Sequence, residues 1–406
     1  MAVSMTRRYV TLAVVVVLAV LTGVLVYHGD HPPEGPVAIA HIDTPRGSVG
    51  QPVAPGSAAG SGPAATAPSH KPSNIPMKKL APGAKAPQFI IFSFDGAGDH
   101  AKWQEFMAAA RPTDSRFNGF LTGLYLLTDQ NAEKYTGPGH SPGKSSVGFG
   151  GTAAELAARI GDLNQAYAAG HEIGIHYNGH FCAGAEPSVG VWNTTDWNSE
   201  IVQFFGFLTG YRKNNPGAKL PELTVPASSI KGGRTPCLEG QWDQLVPAWK
   251  KHGFSYDSSM NAPASGVRWP VRTDGIWEFA MPYVYSPGFG GMVMNMDYNM
   301  WVKFNGGRNQ PQTAPQLREK VYATYTHLYD ATFTGNRAPL LIANHFNTWN
   351  GDSFNPAVLR FMKNYCGRPQ TYCATYSDVI AWMQLQDPLV LGALQKQAPV
   401  GYDADH

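Results

Sequence analysis

The sequence predicts an α/β fold, one large domain built as a (β/α) barrel. Three observations predict it. A nearly continuous apolar run, Gln88-Phe-Ile-Ile-Phe-Ser-Phe-Asp95, is of the kind buried on both faces of a parallel sheet. Strand and helix signals alternate after it with no internal repeat and no second break in composition. Polar residues able to do chemistry recur where the inferred strands end, at Asp95, His176 with His180, Asp257 and His345, and a barrel brings such ends to one face.

The elements follow in order. After the strand ending at Asp95 come a helix at 100–111, a strand at 119–127, a helix at 152–168, a strand at 172–176 and a helix at 196–211. A helix at 240–252 precedes strands at 254–257 and 275–281, then a helix at 314–330, a strand at 339–344, and helices at 356–364 and 376–385. The barrel-like domain spans 87–392, with a tail at 393–406.

Composition suits one sizeable core: 43% hydrophobic, 15% charged and 12% aromatic among 406 residues. A net charge of +2, with no basic run longer than a pair such as Arg7-Arg8 or Lys78-Lys79, argues against a nucleic-acid partner.

Arg7 and Arg8 precede an uncharged apolar stretch from Tyr9 to Tyr27, about nineteen residues, near the length that spans a bilayer core. No small-residue cleavage site follows, which favours an uncleaved anchor over a signal peptide, so residues 1–28 are read as a cytoplasmic stub and transmembrane helix. The positive-inside tendency then places the main domain outside, at the cell membrane in a single pass, with secretion as the alternative. Residues 29–86, rich in Pro, Gly, Ala and Ser, read as a disordered linker.

Four cysteines suit an oxidising exterior and allow three connectivities; closing the short Cys366–Cys373 loop leaves Cys182 with Cys237.

His176 and His180, separated by three residues, can both reach one zinc ion as neutral imidazoles, whereas His171 opens the strand and reads as a residue for packing or a supporting hydrogen bond. Pro138-Gly-His-Ser-Pro-Gly-Lys-Ser145 has the outline of a phosphate loop but lacks its first glycine and a leading strand, and reads as a surface loop. Asn193-Thr-Thr195 has the form of a glycosylation acceptor. Trp192, Trp197, Trp301 and Trp349 offer faces for sugar rings or for packing.

The segment Gly170-His-Glu-Ile-Gly-Ile-His-Tyr-Asn-Gly-His180 resembles the second motif of the polysaccharide deacetylases, the NodB-homology or carbohydrate esterase family 4 domain. Ser93-Phe-Asp95 resembles the first motif, Arg234-Thr-Pro236 the Arg-x-Pro motif, Gly253-Phe-Ser-Tyr-Asp-Ser-Ser259 a later landmark, and Ile276-Trp-Glu-Phe279 the strand after it. Leu341-Ile-Ala-Asn-His345 resembles the last motif and Ser377-Asp-Val-Ile-Ala-Trp-Met383 the final helix. The resemblance, to a divergent member, implies a distorted (β/α) barrel of the polysaccharide deacetylase type. It also implies a hydrolase that removes N-acetyl groups from cell-wall or other N-acetylated polysaccharide. A divalent metal, usually zinc, would sit on His176 and His180 and polarise the carbonyl and its water. Asp95 would be general base, His345 general acid, and Arg234 the group that orients the base and keeps it ionised. Tyr177 and Trp349 would line the substrate site.

The resemblance fails at one place. The family usually has two adjacent aspartates in the first motif, base then metal ligand, but Gly96 follows Asp95 here. Either Asp99 folds back as the third ligand, or Asp95 itself binds the metal and the base role is unfilled. The same loss motivates a competing reading, a catalytically silent domain that binds cell-wall glycan; a different acyl group or a small molecule as substrate is a third.

Overall fold

The computed structural model describes residues 70–404. Its main sheet has nine strands, in the order β10-β1-β2-β3-β4-β5-β7-β6, with β11 also on β1. These are β1 (Gln88–Gly96), β2 (Asn118–Leu121), β3 (Glu172–Ile175), β4 (Gly232–Gly233), β5 (Tyr256–Asp257), β6 (Val271–Thr273), β7 (Ile276–Glu278), β10 (Leu340–His345) and β11 (Thr371–Cys373). All pairings are parallel except β6 with β7. A separate hairpin joins β8 (Tyr283–Ser286) to β9 (Gly291–Met294).

β1 is the centre of the sheet because its sequence has almost nothing polar to expose. Every residue but the last is buried, and β10, β2 and β11 all pair with it. Each expected strand is present, but the one read at 119–127 stops at Leu121 and gives way to a tight helical turn at Gly123–Leu126, and those read at 254–257 and 275–281 shorten to Tyr256–Asp257 and Ile276–Glu278.

The helices are α1 (His100–Ala110), α2 (Ala153–Ala168), α3 (Thr194–Asn214), α4 (Trp242–Lys251), α5 (Asp297–Asn305), α6 (Ala314–Thr334), the single turn α7 (Trp349–Asp352), α8 (Phe354–Tyr365), α9 (Tyr376–Leu385) and α10 (Pro388–Gln395). Local chemistry sets several starts: Thr152 with Glu155, Asn193 with Asp196, and Thr375 with Asp378 form reciprocal capping boxes that satisfy free backbone N–H groups.

The strand ladder is not closed among the described residues, which corrects the closed-barrel picture to a mixed α/β sheet that is mostly parallel. The segment between β7 and β10 spans the opening by side chains and isolated contacts. Met281, Met296 and Ala343 form a small apolar cluster there, Met296 bridges Ala343, and Asn295 Nδ2 donates to the Leu341 carbonyl at 2.6 Å.

Part of the stretch that composition marks as linker is packed. Ile75 is buried, and Asn74 donates to the carbonyls of Asp114 and Cys373. At the other end Val400 pairs with Val267 across an antiparallel bridge, within the expected tail. Both disulfides form as read, Cys182–Cys237 with Cα atoms 6.0 Å apart and Cys366–Cys373 at 5.5 Å.

The single-pass placement at the cell membrane is corrected: among the described residues no helix is long and apolar enough to cross a membrane. The apolar stretch from Tyr9 to Tyr27 lies outside the described residues.

Candidate active site

Asp95 and His345 are register partners at the ends of neighbouring parallel strands β1 and β10, so the topology alone places them side by side. Asp95 Oδ2 lies 4.0 Å from His345 Nε2. Arg234 follows β4 directly, and its guanidinium is fully buried. It donates to Asp95 Oδ1 at 2.7 Å, to the Ser258 carbonyl at 2.8 Å, and to the hydroxyls of Ser258, Ser93 and Tyr376 at 3.0–3.2 Å. The fork therefore has one fixed orientation, which in turn fixes the Asp95 carboxylate.

Position 234 is reachable because β4 is two glycines. A Cβ on Gly233 would sit 1.8 Å from the Ile175 carbonyl oxygen, and one on Gly232 would sit 2.1 Å from that of Tyr256. Only glycine lets the strand approach both neighbours this closely.

Burial alone would raise the Asp95 carboxyl, but Arg234, helped by His345, outweighs it and holds the group below the ordinary carboxylate value. His345 shows the opposite balance. Burial pulls its imidazole down, and Asp297, with Asp95, more than reverses this, so its pKa is raised. Asp297 opens α5 and holds the histidine twice: Oδ1 lies 2.8 Å from Nδ1, and Oδ2 accepts the His345 backbone N–H at 2.8 Å. Asn347 Nδ2 donates to Oδ2 as well, at 3.0 Å. The result is a carboxylate biased towards its ionised form facing an imidazole biased towards its protonated form, each with an opposite charge behind it.

His176 and His180 stand beside this pair with ring centres 5.2 Å apart. The Arg234 carbonyl oxygen lies 2.9 Å from His176 Nδ1, which fixes that nitrogen as the N–H and leaves Nε2 with its lone pair. His176 Nε2 is buried with no hydrogen-bond partner. Burial lowers the pKa of His176, and lowers that of His180 to about 3, so both rings stay neutral, the form a metal needs. The loop between them is clamped from α3: Glu200 Oε1 accepts the backbone N–H groups of Asn178 and Gly179 at 3.0 Å each.

The two imidazoles fit a divalent ion; a full set of three protein ligands is not assembled around them. Asp99 is the N-cap of α1, its carboxylate accepting the Lys102 N–H at 2.9 Å. Among the described residues the only three metal-type donors within reach of one another are His180, Cys182 and Cys237, and the two sulfurs are joined in a disulfide.

Tyr177 is buried, its hydroxyl accepting from Trp249 Nε1 at 2.7 Å, and it packs edge-on against Trp197, so it lies in the core beneath the loop. Trp349 lies against His345 with ring centres 4.8 Å apart and stacks on Trp301 at 5.6 Å, while Tyr298 stands edge-on to both. An aromatic surface thus leads away from the histidine. Asp257 is held by Ser259, whose N–H and hydroxyl both donate to it. Sequence reasoning missed Asp297 and Glu200, neither of which stands in a recognisable motif.

No family model matches the chain. No curated protein matches it either. Among solved structures, a Mycobacterium smegmatis protein described as a polysaccharide deacetylase aligns at 15% identity and a TM-score of 0.43, covering 80% of this chain and 98% of that one. A family 4 carbohydrate esterase from Streptomyces lividans aligns at 12% and 0.35, covering 74% and 97%. The chitin deacetylase of Colletotrichum lindemuthianum aligns at 12% and 0.36, covering 80% and 95%.

Proposed function

We propose that the chain is a hydrolase that removes acetyl groups from N-acetylated polysaccharide, with Asp95 and His345 as base and acid. One observation carries the reading: a buried carboxylate and an imidazole 4.0 Å apart, each backed by an opposite charge, Arg234 and Asp297. Such an arrangement separates the protonation states that amide hydrolysis needs. Asp95 accepts a proton from the water that attacks the carbonyl carbon. His345 gives its Nε2 proton to the nitrogen as the carbon–nitrogen bond breaks, leaving acetate and a free sugar amine. Arg234 positions the base. His176 and His180 would hold a divalent metal, which supplies Lewis-acid polarisation of the carbonyl when bound. Trp349 and Trp301 offer ring faces on which a sugar chain can lie.

A second reading has its own observation. With Gly96 in place of an aspartate and Asp99 engaged as a helix cap, a domain kept only for glycan binding would account for the incomplete ligand set. Acetate release from N-acetylglucosamine oligomers separates the two. The enzyme reading expects release that Asp95→Asn and His345→Ala each reduce at least ~100-fold. Glycan binding without release in the metal-loaded protein would leave only the silent domain.

A further inference from the structure

A cavity of about 350 Å³ lies at the seam where the strand ladder fails to close, lined by Glu278 and Phe279 on one side and by Leu341 of β10 on the other. Ala343, with Met281 and Met296 packed on it, separates Leu341 from His345 along β10, and no residue of the proposed catalytic set lines the cavity.

Its walls are mostly apolar, with the aromatic rings of Trp242, Trp269 and Phe279 among them. Two polar groups break the pattern. Glu278 is 8% exposed, and neither of its carboxyl oxygens has a hydrogen-bond partner. Asp257 is its register partner on β5, and the Met260 backbone N–H lies near; burial, with the Asp257 carboxyl facing it, pushes the Glu278 pKa well up. The second is Arg268, whose buried Nε also lacks a partner although its terminal nitrogen donates to the Ala264 carbonyl.

Leaving buried polar atoms unpaired is costly, more so when they are charged, so a site that carries two such groups is incomplete without something to fill it. Glu278 asks for a donor and is best served by a cation, which would let it ionise. Arg268 Nε asks for an acceptor. The rings ask for an apolar face or a positive charge. Water answers the first two demands and not the third.

We propose that this cavity is a binding site for a small hydroxylated amine of amino-sugar type, its ammonium on Glu278, a hydroxyl on Arg268 Nε and its ring against the tryptophans. The choice of an amino sugar rests on the function proposed above, because that reaction leaves a free sugar amine. The site would then sense or retain product beneath the catalytic face.

The test is a titration of the full chain with D-glucosamine, and with D-glucose as the neutral match, followed by calorimetry and tryptophan fluorescence. Two variants accompany it. Glu278→Gln removes the carboxylate, and Val271→Trp adds bulk to the lining from an edge-strand position that is 45% exposed. The expected result is glucosamine binding at least tenfold tighter than glucose, a preference lost in Glu278→Gln, and binding lost in Val271→Trp with its melting transition retained. Equal binding of the two sugars, or glucosamine binding that neither variant alters, overturns the site. Acetate release is measured on the same samples: its absence with amine binding intact removes the deacetylase reading alone, and its presence without amine binding removes this one alone.

Discussion

Asp297 holds His345 at two points, one carboxylate oxygen 2.8 Å from the ring Nδ1 and the other accepting the backbone N–H of the same residue. The contact does two jobs. It fixes the tautomer so that Nε2 faces Asp95, and its charge raises the imidazole pKa against the pull of burial. A general acid must be protonated, so activity is present below the raised pKa and lost as pH rises through it. Asp297→Asn keeps an oxygen for the ring and removes the charge. The alkaline limb of the pH–rate profile is expected to move to lower pH, with acetate release at pH 8 falling on the order of tenfold or more. An unmoved alkaline limb would show that His345 is not the acid.

Arg234 is expected to matter for stability before catalysis. It is fully buried and spends its donors on Asp95, Ser93, Ser258 and Tyr376. Arg234→Met leaves the Asp95 carboxylate buried and unpaired, which typically costs about 3–5 kcal/mol. Because Asp95 has its pKa lowered in the folded state, the pair stabilises above the ordinary carboxylate range and loses this as pH falls through the depressed value. In the variant burial acts unopposed by the guanidinium and Asp95 is neutralised more easily. Urea unfolding should therefore show a deficit at pH 7 that shrinks towards pH 4. A deficit independent of pH would mean that packing, not charge, is what Arg234 contributes.

How far the sequence reveals this site depends on what kind of signal each residue leaves. β1 and β10 were legible because strands buried on both faces have no polar alternation to confuse with a helix, and their terminal Asp95 and His345 stand out against apolar runs. Both cysteine pairings followed from loop length and elimination. β4 was invisible for the opposite reason: Gly232-Gly233 reads as a turn, although the glycines are there to let two carbonyls approach. Asp297 opens a helix that no cap or periodicity announces, after the Met-rich strand β9, and tertiary contacts such as the bridge from Met296 to Ala343 bring it to His345. Asp99 reads as a ligand folding back because the turn before it is glycine-rich, and the sequence does not announce that its carboxylate caps the start of α1.

The aromatic surface predicts dependence on chain length. Trp301 stacks on Trp349, which touches His345, so Trp301 is one ring removed from the reacting group. A sugar bound there belongs to a neighbouring residue of the polymer. Trp301→Ala is expected to raise KM for N-acetylglucosamine tetramers and longer chains about 5–10-fold, equivalent to roughly 1 kcal/mol of ring contact, with kcat little changed. The dimer should respond much less. Equal effects on dimer and polymer would place the glycan on another surface.

Gly96 is where the metal question can be decided by addition instead of removal. A Cβ built there meets no atom closer than 3.6 Å, the Tyr125 hydroxyl, so a side chain fits the space. The backbone has φ at +75°, the left-handed region in which aspartate is among the better-tolerated residues, at a cost on the order of 1 kcal/mol. Gly96→Asp would restore a second carboxylate next to Asp95 in sequence, in a site whose two imidazoles are neutral and where His176 Nε2 is buried without a partner. Zinc affinity is expected to rise at least tenfold, and to fall back when His176→Ala is added to the same protein. If Gly96→Asp leaves affinity unchanged while His176→Ala still lowers it, the two imidazoles bind metal but the turn at position 96 faces away from them. If neither substitution alters metal binding, His176 and His180 are not the ligands.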